Sequence, residues 1–211
     1  MAKGQAIAAR VALTASDRDF FARMAQVTYM NPFDPERARI IEQLADRHNG
    51  RQEKAALDSV LPEMNARIAR LERQGCDALP RFAAEDQPLM RSLCLYQIYH
   101  RYVPDLDRVI EEYLRDKDAP APFAERLIAD LAARGFTATE ALHYVASFFQ
   151  IRRAYYFIVK SLVGQSPSMQ QLRLALWNNV FTNDMRAFDR GLWDRMEDFS
   201  TLILGETGTG K

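Results

Sequence analysis

From residue 16 to residue 163, apolar positions recur every three to four residues, the period of helices that bury one face. Phe20, Phe21, Met24 and Val27 share such a face, and Ser16, with Asp19 three residues on, is placed to cap that helix. Asn31-Pro32-Phe33-Asp34-Pro35 reads as a turn, with Asp34 as cap and Pro35 as first residue of a helix carrying Ile40, Ile41 and Leu44. After the break at His48-Asn49-Gly50, Leu57, Leu61, Met64, Ile68 and Leu71 form one stripe. Pro62 should kink or restart that helix, and Gly75 should end it. A tyrosine-rich helix follows from Gln87 to Tyr102; Pro104 and Asp105 are expected to open a separate one, with Leu106, Val109, Ile110, Tyr113 and Leu114 inward. The Ala119-Pro120-Ala121-Pro122 linker leads into a helix closed by Gly135. Thr137 with Glu140 makes a capping box for the longest apolar helix, 138–163, which Gly164 stops.

The pattern changes at Gly164-Gln165-Ser166-Pro167-Ser168-Met169, a small polar break before an amphipathic helix from Met169 to Val180. Trp177 and Trp193 are expected to pack a helical hairpin there. The run Phe199-Ser200-Thr201-Leu202-Ile203-Leu204 has the length of a buried strand. It enters Gly205-Glu206-Thr207-Gly208-Thr209-Gly210-Lys211, the G-x-x-x-x-G-K pattern of a phosphate-binding loop. Glycines let backbone N–H groups turn toward a phosphate, and the lysine brings a compact positive charge to it. The expected fold is therefore an all-α N-terminal domain, residues 1–163, followed by the first helix, strand and loop of an α/β ATPase domain, residues 164–211.

Two of these features, in this order, resemble the opening of the AAA+ domain in sigma-54-dependent transcriptional activators, the bacterial enhancer-binding proteins. Gly164, Ser166, Pro167 and Met169 match its Gly-x-Ser-Pro-x-Met turn, and Leu202 to Lys211 match its strand and GETGTGK loop. The segment 178–198 is longer than the family's usual spacer and carries Phe181, Met185, Phe188, Leu192, Trp193 and Met196 at mainly helical spacing, as in a divergent subgroup. The resemblance implies that residues 1–163 are a sensor domain. It implies that the full-length parent binds ATP and Mg²⁺, assembles as a homo-oligomeric ring, and remodels sigma-54 RNA polymerase at DNA through regions beyond Lys211. With no magnesium ligand or arginine finger in view, the present chain is expected not to hydrolyse ATP. Another P-loop AAA+ ATPase with a helical partner-binding domain, and a structural helical interaction module, are the alternative readings.

Composition narrows the rest. The 211 residues are 48% hydrophobic and 27% charged with zero net charge, an ordinary globular balance that gives no electrostatic case for nucleic-acid binding by this portion. No uncharged stretch reaches membrane-helix length, no secretory signal is read, and Cys76 and Cys94 look structural, so a cytoplasmic location is expected. His48 and His143 are isolated from metal-type neighbours, and Glu111-Glu112 and Asp116-Lys117-Asp118 read as solvated helix ends. Tyr96, Tyr99, His100, Arg152, Arg153 and Tyr156 form a candidate pocket for an anionic signal molecule, since guanidinium forks match carboxylates and phosphates. The same residues also suit helix edges, with stems buried and heads in water.

Overall fold

Helix period and caps translate into helices. A computed structural model describes residues 10–45, 53–115, 121–181 and 185–191. The run 199–204, the loop Gly205 to Lys211, Trp193, His48 and Asp116 to Asp118 lie outside the described residues. The helices are α1 (Ala15–Thr28), α2 (Pro35–Ala45), α3 (Glu53–Arg73), α4 (Gln87–Arg115), α5 (Phe123–Ala133), α6 (Ala138–Ser161), α7 (Pro167–Val180) and α8 (Met185–Gly191). Among the described residues the fold is all-α; the β-type pairing is an isolated parallel bridge between Val11 and Phe82. No described helix is long and apolar enough to cross a membrane.

α4 is the axis of the core. Met90, Leu93, Ile98 and Leu106 of α4 are fully buried against Phe21 and Met24 of α1, Met64 and Ile68 of α3, Leu127 and Leu131 of α5, and Ala141 and Phe148 of α6. α2 lies on α3 through Ile40, Ile41 and Ala56, joined by Val27 of α1. A third cluster, Ile158, Trp177, Phe181 and Phe188, packs α7 and α8 onto the C-terminal half of α6.

Several local expectations are corrected; Tyr113 and Leu114, expected inward, are exposed. The cap of α1 is Thr14, not Ser16: the Thr14 hydroxyl accepts from Asp17 N at 3.1 Å, which leaves Ser16 inside the first turn. Of the two outcomes expected at Pro62, a restart is overturned, because α3 runs through it as one helix. α4 likewise runs through Pro104, so the two helices expected there are one of 29 residues. A mid-helix proline forfeits a backbone bond and costs about 3 kcal/mol. Here tertiary contacts on both sides of it offset that cost. Tyr102 and Leu106 are buried, Arg101 and Tyr102 both bond Asp130 of α5 (2.8 and 3.1 Å), and Asp107 is gripped by Arg152 of α6. Other caps follow the sequence: Asp34 Oδ1 accepts from Glu36 N at 2.8 Å, and Thr137 with Glu140 closes its capping box.

Two buried carboxylates fasten the N-terminal segment. Asp86 accepts from Leu13 N at 2.8 Å and takes a bidentate grip from Arg18 at 2.8 and 3.0 Å. Asp17 accepts from the Thr14 hydroxyl at 2.7 Å, from Arg67 at 3.1 Å and from Arg70 at 2.6 Å. The Arg18 hydrogen bond holds the Asp86 carboxyl below the usual range against its desolvation. For Asp17, burial is the largest influence and acts upward, but the bonds from Thr14, Arg70 and Arg67 together outweigh it. A lowered folded-state pKa means the unfolded chain binds more protons in acid. The stabilisation is therefore present above the unfolded carboxylate pKa of about 3.9 and is lost as pH falls through the folded value. Urea unfolding should show a free energy that falls steadily below about pH 4. Asp86→Ala, which orphans the Leu13 N–H, should cost about 1–3 kcal/mol at pH 7 and flatten that acid slope. An unchanged slope in the variant would show that Asp86 does not carry it.

Candidate functional site

The turn between α1 and α2 builds the site. Pro32 and Pro35 bracket it, and Asn31 Oδ1 accepts from Phe33 N at 2.8 Å, which fixes the corner. The Asn31 amide then donates to Leu174 O at 3.0 Å and to Asn178 Oδ1 at 2.8 Å, both on α7. Phe33 stacks on Tyr155 of α6, centroids 5.6 Å apart and planes 9° apart, and meets Trp177 of α7 edge-on at 6.1 Å. Trp177 continues into Phe181 and Phe188. His143 Nε2 lies 2.8 Å from Asp189 Oδ1, which ties α6 to α8.

These contacts roof a cavity of about 550 Å³. Its floor is α4, with Leu95, Tyr96, Tyr99 and His100. One wall is α6, with Tyr144, Ser147, Phe148, Ile151 and Tyr155. Leu57, Asp58 and Leu61 of α3 also line it; the α1–α2 turn adds Tyr29, Met30 and Phe33, and α2 adds Arg37. Trp177, Met185, Phe188 and Asp189 close it from α7 and α8. That volume lies in the range of small-molecule pockets, which are mostly apolar with a few polar groups.

The polar groups are few and mostly committed. Arg37, 8% exposed, donates to the Tyr96 hydroxyl at 3.3 Å. Burial, together with the positive charges of Arg37 and Arg152, lowers His100 to about 4, so its imidazole is neutral at pH 7. Burial pushes the Tyr99 hydroxyl up to about 12. Both rings keep part of their surface uncovered, and both line the cavity. Ser147 Oγ and Trp177 Nε1 are the described buried side-chain polar atoms without a hydrogen-bond partner.

Of the residues chosen from sequence, Tyr96, Tyr99 and His100 come together on the cavity floor. Arg152 is turned to Asp107, gripping it with two bonds of 2.6 Å, and lies over the Tyr155 ring at 5.0 Å. Tyr156 donates to Glu111 at 3.2 Å. Neither Arg152, Arg153 nor Tyr156 contributes to the cavity lining. The lining residues that sequence reasoning did not assign to the site are Phe33, Arg37, Ser147, Trp177 and Asp189; an aromatic between two prolines in a polar turn was the one visible signal, at Phe33. Cys76 and Cys94 are free and buried, and burial raises the Cys94 thiol to about 11, which keeps it protonated. No group of metal-ligating side chains occurs among the described residues. No family model, no curated protein and no solved structure matches this chain.

If Phe33 holds α7 against α6, its removal uncouples them. Phe33→Ala should lower stability by about 1.5–3 kcal/mol in urea unfolding and weaken the near-ultraviolet circular dichroism that the packed Trp177 produces. Unchanged stability and an unchanged spectrum would show that the corner does not hold the roof.

Proposed function

We propose that this chain is the regulatory portion of a sigma-54-dependent transcriptional activator: a helical signal-receiving body joined to the opening of an AAA+ ATPase domain. The observation that carries the reading is the ordered pair of motifs, the Gly164-x-Ser166-Pro167-x-Met169 turn and the GETGTGK loop behind an apolar run. The local geometry of the first motif is in keeping with it. Gly164 has φ +119°, a left-handed conformation that favours glycine. Ser166 caps α7 by accepting from Met169 N at 3.3 Å, and Pro167 takes the first helical position. Arg173 donates to the Leu162 and Gly164 carbonyls at 2.6 and 2.5 Å and satisfies the chain on both sides of the glycine.

On this reading the parent protein holds ATP and Mg²⁺ with Gly205, Glu206, Thr207, Gly208, Thr209, Gly210 and Lys211, forms a homo-oligomer in the cytoplasm, and acts on sigma-54 RNA polymerase bound at DNA. The part up to Lys211 receives the signal and leaves the hydrolysis to the rest of the ATPase domain. The cavity is the natural receiver, because α7 and α8, which close it, are the last described helices before the phosphate-loop motif in the chain.

In the full-length parent, Lys211→Ala should lower ATPase activity at least about tenfold and remove ATP-dependent transcription, through loss of a charge-assisted contact worth ~1.5–3 kcal/mol. Lys211→Arg should not restore it, since a planar fork does not replace a compact ammonium in a tight loop. Circular dichroism should show both variants as helical as the parent. Wild-type ATPase and transcription in Lys211→Ala would overturn the reading.

A further inference from the structure

The cavity's chemistry differs from the anion pocket that its tyrosines and arginines suggest in sequence. The cations nearest its floor are already engaged: Arg152 faces Asp107, and Arg37 reaches the Tyr96 hydroxyl. The carboxylates on its wall are Asp189, taken by His143, and Asp58, which is exposed. A cation would enter beside groups whose positive charge already lowers His100, and an anion would have to compete with Asp107 for Arg152 and with the Tyr96 hydroxyl for Arg37, both unfavourable exchanges. The walls are instead aromatic and already held in edge and stacked pairs: Phe33 with Tyr155, Phe33 with Trp177, and Tyr99 with Phe148 at 5.4 Å. Rings fixed in this way lose little entropy when another ring enters between them.

Two polar atoms on the residues of that wall are left over. Ser147 is 2% exposed and Trp177 4% exposed, and neither Ser147 Oγ nor Trp177 Nε1 has a partner. Both atoms are closed off from solvent, so an occupant meets them after a small side-chain rotation; because a buried polar group left unpaired is costly, one that pairs with them gains more than an apolar one of the same shape. They sit on different elements, Ser147 on α6 and Trp177 on α7, so a molecule that meets both bridges the two.

We propose that the cavity is a binding site for an uncharged, planar aromatic small molecule carrying a hydrogen-bond acceptor, received between the aromatic walls and oriented by the Ser147 hydroxyl and the Trp177 indole N–H. The site deepens the regulatory reading above and rests on it for its meaning in the cell. It names the class of the signal and gives it a direct grip on α7.

The test uses the 211-residue chain and three compounds of one shape, followed by equilibrium dialysis: 9-fluorenone, which is neutral with a carbonyl acceptor; fluorene, which lacks the acceptor; and 9-fluorenone-2-carboxylate, which is an anion. Fluorenone should bind saturably, one per chain, and more tightly than either of the others by about fivefold or more, the range expected for one added hydrogen bond. The double variant Ser147→Ala, Trp177→Phe should reduce fluorenone affinity to that of fluorene and leave fluorene unchanged. If the double variant does not fold, Trp177→Phe alone should show a partial loss of the same preference. Ser147→Leu, which fills the space, should abolish binding of both neutral compounds with helicity retained. Absence of saturable binding, tightest binding of the carboxylate, or a fluorenone preference that survives the double variant would each overturn the proposal. Because binding is measured without ATP or transcription, such a result beside an intact Lys211-dependent activity would overturn the ligand class and leave the regulatory reading standing.

Discussion

Phe33 is the residue on which the C-terminal part of the structure leans. Its ring lies flat on Tyr155 and edge-on to Trp177, and the adjacent Asn31 donates to Leu174 O and Asn178 Oδ1. A turn near the start of the chain is thus joined to helices about 145 residues later, Asn31 to Asn178 being separated by 147 positions. α7 has little intrinsic reason to stay: Trp177 is its one buried side chain. Its position depends on that single aromatic insertion, helped by the Arg173 bonds at Gly164 and the His143–Asp189 pair. The cavity is a consequence. Where α7 and α8 rest on α6 and the α1–α2 turn, the large rings, one pair stacked and others edge to face, do not fill the space between them.

The charged groups follow a different economy from the one their sequence neighbours suggest. Arg67 and Arg70 go to Asp17, Arg18 to Asp86, Arg152 to Asp107, and Arg101 to Asp130. Each pair spans 29 or more positions of the chain, and two of the carboxylates are buried. Such pairs are expensive to break and only weakly favourable to make, so their main effect is to specify which helix faces meet. None of the arginines used in this way to set the architecture lines the interior cavity.

Much of the fold was legible because its signals are local. Asp34 and Thr137 cap the helices that their spacing announces, and Gly135 and Gly164 take the positive φ that ends a helix. Pro104 was read too literally, since the cost of a mid-helix proline is met by long-range packing that the local pattern does not contain. The site was half legible. Tyr96, Tyr99 and His100 were found as a cluster on one helix, but nothing in the sequence tells which arginine meets Asp107, 45 positions away from Arg152. Phe33 and Trp177 belong to no shared periodic stripe, and only the folded chain brings them together.

The central claim is that α7 and α8 are docked parts of the same body as α1 to α6, and that their docking makes the cavity. Amide hydrogen exchange of the 211-residue chain, resolved by peptide, tests it most directly. An isolated helix of α7's length is marginal in water, so its amides exchange slowly only if packing holds it. The account predicts protection across residues 167–180 comparable to that of α5, with Leu174 to Asn178 among the slowest positions of α7. Exchange across α7 at the rate of an unstructured peptide, while α4 and α6 stay protected, would contradict it.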